Sequence, residues 1–209
     1  MALGTERIVE VALELLKEVG LDALSTRRLA TALDVQGPSL YHHFRNKAEL
    51  LGQMAASMVQ TGFASLDTGA EWDEWLRAMA HASRAMILEY RDGARLLASS
   101  DPSDVMRHEL LPSVAQPLVA AGFPPRFANE TVAALASFVI GWTMNEQNER
   151  MRALMESMMT IDEGFAAAVD TFVIGVAVRA GRPIPRPSEG VAGMQAAGGD
   201  NQATTVGAP

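Results

Sequence analysis

TRRLATALDVQGPSLYHHFRNK, residues 26–47, is the stretch from which the rest of the chain is read. Leu29, Ala30 and Leu33 fall on one helical face over 26–33, and Ser25 stands where an N-cap belongs. Asp34, Val35, Gln36 and Gly37 interrupt that pattern, leaving Val35 as the lone apolar residue to fill the space between two helices. Pro38 is best tolerated at the start of a helix. The spacing predicts a short second helix over 38–44 that turns Leu40 and Phe44 inward and leaves Ser39, Tyr41, His42 and His43 facing outward or sideways. Asn46 to Glu49 reads as a capping box opening a third helix. This is the layout of a helix-turn-helix, whose second helix enters the DNA major groove.

Charge agrees with that reading. The segment holds Arg27, Arg28, Arg45 and Lys47 against Asp34 alone, in a chain of formal net charge −8. A basic island on an acidic protein provides a local phosphate-binding surface, and the acidic remainder limits binding elsewhere. Charge alone favours a solvated turn; charge together with the proline-started helix and the cap after it favours DNA.

LSTRRLATALDVQGPSLYHHFRNKAELL closely resembles the DNA-binding region of the tetracycline-repressor (TetR) family, most specifically over Leu40 to Lys47. The resemblance implies that Arg27 reaches a base edge, where arginine can bond bidentately to guanine, and that Tyr41 and Lys47 contact phosphate. Arg28, Gln36, Pro38, Ser39, His42 and His43 complete the expected DNA surface. Gly37 stands where the tetracycline repressors carry glutamine, so a different operator is expected. Adjacent histidines on a helix point about 100° apart, which disfavours metal binding by His42 and His43.

The whole chain has 209 residues, 48% apolar and 20% charged, and no cysteine. That composition is ordinary for a soluble globular protein and excludes disulfides, thiolate zinc sites and cysteine nucleophiles. Glu6, Glu10, Glu14 and Glu18 exclude an apolar signal peptide from the first twenty residues. The apolar runs 132–144 and 165–178 are shorter than the ~20 residues of a membrane span. A cytoplasmic protein without membrane contact is expected. Periodicity predicts helices over 5–19, 46–65 and 72–90, a short piece near 94–98, and a kinked helix over 104–121. It then predicts a long helix over 126–155 and a last one over 163–179. Nothing alternates with period two, so the expected fold is all-α. A three-helix helix-turn-helix domain (1–48) should precede a larger helical ligand-binding and dimerisation domain (49–181) and a disordered tail (182–209), which is poor in large apolar residues.

Beyond the head, EYRDGARLLASSDP (89–102) and GFPPRFANETVAALASFVIGWTMNEQNE (122–149) resemble the ligand-binding core of the tetracycline repressors proper. The resemblance implies a homodimer paired through helices 126–155 and 163–179, with Arg91 to Gly93 as the transmitting element. It further implies a repressor released from a palindromic double-stranded operator by a small-molecule effector. Five drug-contacting positions are changed. Leu97 replaces the magnesium-binding histidine, Ser100 a threonine, Asn145 an acidic residue from the second subunit, and Phe63 and Met79 two polar contacts. Leucine offers no lone pair and asparagine no charge, so a hard cation loses its anchors. Together with Met58, Met86 and Trp142 on the same helices, these positions predict a largely hydrophobic effector bound without metal or cofactor. No catalytic constellation stands out; an enzyme or a helical interaction module carrying a helix-turn-helix head are the alternatives.

Overall fold

The computed structural model describes residues 4–187, and within them ten α-helices, one π-helical segment and no strand. Residues up to 154 form one compact unit, and the chain from 155 onward forms a second. The expected boundary at residue 48 falls inside the first unit, one residue into a continuous helix.

The head begins with α1 (Thr5–Ala23), which buries Ile8, Val9, Ala12, Leu13 and Leu16. Val9 and Leu13 are therefore inside, whereas Leu15 and Val19, which helical periodicity places on one stripe with Ile8, Ala12 and Leu16, are half-buried. The stripe is rotated because α1 rests on both α2 and α4. Gly20, at φ 74° and ψ 175°, breaks the helix in a conformation that only glycine adopts without strain. A final turn follows, and Leu24 is buried after it, whereas Leu21 is half-buried. α2 (Thr26–Ala32) is capped as expected: the Ser25 hydroxyl accepts from the Arg28 N–H at 3.3 Å. α3 (Gly37–Leu40) is shorter than the predicted 38–44. Tyr41 and His43 donate to the carbonyls of Pro38 and Leu40, tightening the chain into turns that still bury Leu40 and Phe44.

α4 (Lys47–Phe63) runs from the head into the body and buries Leu50, Gly52, Met54, Ala55, Ala56 and Met58. Asn46 accepts from the Glu49 N–H at 2.9 Å, and the Glu49 carboxylate reaches back to the Arg45 N–H at 2.7 Å. α5 (Trp72–Leu88) and α6 (Gly93–Ser99) follow. The kinked helix expected over 104–121 contains a π-helical stretch, Met106–Leu110, leading into α7 (Leu111–Ala120). Leu111 donates to the Met106 carbonyl. Pro112 would crowd the carbonyl four residues before it, and the wider π turn makes room. Gly122, at φ 86°, then closes α7, with Phe123 N–H donating back to Leu118.

α8 (Pro125–Gln147) corrects the expectation of a single helix over 126–155. Asn148 is extended, and its side-chain oxygen accepts from the N–H groups of Arg150 and Met151 at 3.2 Å each. It therefore caps a separate α9 (Glu149–Met158). α8 buries Ala128, Thr131, Val132, Leu135, Val139, Thr143 and Glu146, while Ala133, Ser137, Gly141 and Met144 lie exposed on another face. In the second unit α10 (Ile161–Arg179) buries Phe165, Val169, Val173 and Ala177 and leaves Gly175 and Val178 exposed. Residues 182–187 have no regular structure; the tail expectation for 188–209 lies outside the described residues. No described helix is long and apolar enough to cross a membrane.

Candidate DNA interface and effector cavity

Seven of the nine predicted DNA-contacting residues are exposed: Arg27, Arg28, Gln36, Pro38, Tyr41, His42 and Lys47. Tyr41 is the most accessible aromatic side chain among the exposed large hydrophobics, at 58%. Ser39 and His43 are half-buried. His43 turns partly toward the start of α1, with Nδ1 3.4 Å from the Thr5 hydroxyl. Lys47 donates to the Leu24 carbonyl at 2.7 Å, which ties α4 to the end of α1 and leaves two ammonium protons for other acceptors. Beside it, the Arg45 N–H and guanidinium hold the Glu49 carboxyl below its ordinary value.

The turn between α5 and α6 is the junction between head and body. Asp92 adopts the left-handed conformation at φ 62° and accepts from Leu21 N–H of α1 at 2.9 Å. Arg95 bridges Asp92 and Asp22, and its guanidinium lowers the Asp22 carboxyl. Lys17 reaches Glu89 at 2.7 Å and lies 4.8 Å from the Tyr90 ring centroid. Glu89 and Glu14 raise the Lys17 ammonium, while burial raises the Tyr90 hydroxyl. From the other side, the Gln147 amide donates to the carbonyls of Ile87 and Tyr90, at 3.2 and 2.8 Å, and accepts from Ala94 N–H at 3.1 Å. Its neighbour Glu146 makes a bidentate pair with Arg84, at 2.9 and 2.7 Å. Sequence reasoning found the Arg91 to Gly93 element but missed Gln147, which only the approach of α8 to the turn reveals.

A cavity of about 230 Å³ lies in the first unit, walled by α4 through α8. Of the eight predicted effector residues it brings together five: Phe63, Met79, Met86, Leu97 and Ser100. Met58 is buried in α4, Trp142 rests against Phe138 at 5.8 Å, and Asn145 is exposed on α8; none of the three lines this cavity. Ser83, Val59, Met106, Leu110, Leu111 and Ile140 do line it and were not foreseen. Ser83 could have been, since it shares a helical face with Met79 and Met86. Leu110 and Leu111 could not, because the π turn decides their direction.

The wall is nearly all hydrocarbon and thioether. Ser83 and Ser100 are the only lining residues with polar side chains, and none is ionisable. The Ser83 proton is already committed to the Met79 carbonyl at 2.7 Å. Among the described residues, no three His, Asp or Glu side chains converge to hold a metal ion.

An all-α chain with an exposed helix-turn-helix, joined by one long helix to a body with an apolar cavity, defines a ligand-responsive DNA-binding regulator. Comparison with known proteins specifies the group. Residues 8–54 match the model of bacterial regulatory proteins of the tetR family, and residues 66–186 match the tetracyclin repressor-like C-terminal domain. The chain belongs to the tetR family. It is 36% identical to the class C tetracycline repressor protein of Escherichia coli over 148 residues, covering 69% of this chain and 67% of that protein. The class D repressor of Escherichia coli is 32% identical over 163 residues, 77% of this chain and 74% of the other. Among solved structures, a TetR variant from Acinetobacter baumannii AYE in complex with minocycline superposes with a TM-score of 0.73. It shares 32% identity, with 85% of this chain and 98% of that one covered. BioQ with its natural double-stranded DNA operator gives 0.59 at 30% identity, with 79% and 99% covered. Proteins of this family are homodimeric transcriptional regulators that bind operator DNA and small-molecule effectors.

Proposed function

We propose that this chain is a repressor released from a palindromic operator by an uncharged, largely hydrophobic small molecule, bound without metal. The observation that carries the reading is the cavity wall: eighteen residues, with two serine hydroxyls as the only polar side chains. Placing an ion there would cost several kcal/mol with nothing to pair it. Leu97, where tetracycline repressors have a magnesium-binding histidine, lies on this wall. Phe63, Met79, Met86 and Leu97 provide the apolar surface, and Ser100 the free hydroxyl. Asn145, exposed on α8, is available to the partner's cavity in the homodimer.

Residues 1–48 are the DNA-reading part and 49–181 the effector-binding and dimerisation part. Arg27 meets a base edge, Pro38 offers apolar contact, Tyr41 and Lys47 meet phosphate, and Arg28, Gln36, Ser39, His42 and His43 complete the DNA surface. We assign no catalytic step and place the protein in the cytoplasm.

Calorimetry tests the effector class. Magnesium–tetracycline should give no heat of binding, while a neutral apolar fluorophore, N-phenyl-1-naphthylamine, should bind and weaken the operator complex recovered by DNA selection. Micromolar affinity for magnesium–tetracycline, abolished by chelation, would overturn the reading.

A further inference from the structure

A second recess, of about 380 Å³, lies away from the effector cavity, between α1 and α4. Its α1 wall carries Glu6, Glu10 and Glu14, its α4 wall Gln53, Ser57 and Gln60, and Tyr90 borders it beside Glu14. Buried Val9, Leu13 and Ala56 give it an apolar floor. Successive carboxylates are four residues apart, so they form one row along α1 with a repeat of about 6 Å.

Most of the polar groups in this recess are uncommitted. Glu6 makes no ion pair with a described residue, and the side chains of Gln53, Ser57 and Gln60 form no hydrogen bond with one. Glu10 meets Arg7 at 2.7 Å, but both side chains are exposed, and such a pair is weak enough for a ligand to displace. Glu14 shares Lys17 with Glu89, at 3.1 and 2.7 Å. Tyr90 adds an independent observation. It is only 8% exposed, yet its hydroxyl has no hydrogen-bond partner among the described residues. A buried phenol ordinarily finds a partner. Because Tyr90 borders the recess, an occupant carrying N–H donors supplies what the hydroxyl oxygen lacks.

We propose that this recess binds a linear aliphatic polyamine. The carboxylate row offers negative charge at a repeat that suits ammonium groups separated by short methylene chains. The methylenes lie over Val9, Leu13 and Ala56, where burying them is favourable. Oxygens of Gln53, Ser57 and Gln60 accept from the ammonium N–H groups on the α4 side, and the Tyr90 oxygen accepts at the end of the row. Lys17 marks that end, since a second cation gains nothing beyond it. A divalent metal ion does not fit, because the carboxylates stand on successive turns and no three acidic or histidine side chains converge among the described residues.

Calorimetry on the full-length dimer with spermidine, in about 0.15 M salt to screen non-specific attraction, tests the site. One spermidine should bind per protomer with submillimolar affinity. Magnesium chloride and n-butylamine, which lack a row of ammonium groups, should give no matching heat. Glu6→Gln together with Glu10→Gln should weaken spermidine binding about tenfold, as two exposed charge pairs are lost. Glu18→Gln makes the same kind of charge change on the same helix outside the recess, and affinity should stay within about twofold of wild type. Tyr90→Phe removes only the unpartnered hydroxyl and should weaken binding about fivefold, the weight of one hydrogen bond. The carboxylate changes are exposed and the tyrosine change keeps its ring, so all variants should melt as wild type does. Absence of heat with spermidine, or either control compound matching it, overturns the proposal. Equal affinity in the Glu6→Gln/Glu10→Gln and Glu18→Gln proteins overturns it too, as does a Tyr90→Phe protein that binds like wild type.

Discussion

Replacing Gln147 by leucine tests whether the turn between α5 and α6 is held from α8. The side chain makes three bonds to main-chain groups: to the carbonyls of Ile87 and Tyr90 and from the N–H of Ala94. The carbonyls keep other donors, Tyr90 N–H on Ile87 and Gly93 N–H on Tyr90. Ala94 lies in the first turn of α6, where N–H groups have no partner within their own helix. Three partly buried neutral bonds, one leaving an orphaned donor, sum to a loss of about 3 kcal/mol. For a chain of this size that lowers the melting midpoint by roughly 6–12 °C. The assay is thermal unfolding by circular dichroism at one fixed protomer concentration, since dimerisation makes the midpoint concentration-dependent. Gln147→Glu sharpens the test. It still accepts from Ala94 but sets a carboxylate against two carbonyls, so its folded-state pKa is raised. Its deficit relative to wild type should be small in acid and grow as pH rises through the ordinary carboxylate range. A leucine variant melting within about 1 °C of wild type would refute the view that Gln147 holds the turn, since even one lost bond predicts more.

Other expectations bear on the head, the body and the dimer. Lys47→Ala should weaken binding to all DNA sequences alike and flatten the salt dependence, whereas Arg27→Ala should also relax preference at one base pair by about 1–3 kcal/mol; anisotropy titrations across salt and sequence separate the two. Arg84→Ala strands Glu146, whose side chain is only 9% exposed, and should cost about 3–5 kcal/mol in urea unfolding; a loss below 1 kcal/mol means the carboxylate finds water. Arg95 depresses the folded-state pKa of Asp22, so the stabilisation is present above the ordinary carboxylate pKa and lost as pH falls through the depressed value. Asp22→Asn should therefore lower stability by a constant amount above the ordinary carboxylate pKa and flatten the acid limb below it, as read by urea unfolding across pH. A Cβ at Gly141 meets nothing within 4 Å in the protomer, so Gly141→Leu should leave the protomer fold intact while sedimentation shows weaker dimerisation.

The helix-turn-helix was legible in the sequence because its determinants are local. Ser25, Pro38 and Asn46 each act on the helix that begins beside them, and Leu40 and Phe44 meet through short-range spacing. The same locality made the stop at Gly122 readable. Where helices end for reasons of their own polar side chains, reading was harder: Asn148 caps α9 inside a run of good helix formers, and a long uninterrupted pattern hid it. The stripe of α1 could not be chosen from periodicity, because the helix serves two neighbours at once and a wide apolar face admits several rotations. The cavity shows the division most plainly. Its hydrocarbon character followed from residue identities at Phe63, Met79, Met86 and Leu97, since the chemistry of a side chain travels with the sequence. Which residues close around it was settled by the π turn before Leu111, by the path of 100–106 across α4, and by the direction in which α8 turns Asn145 outward. The grip of Gln147 on the α5–α6 turn joins residues far apart in the chain. Nothing local encodes such a pair: a glutamine has no partner until packing brings one within bonding distance.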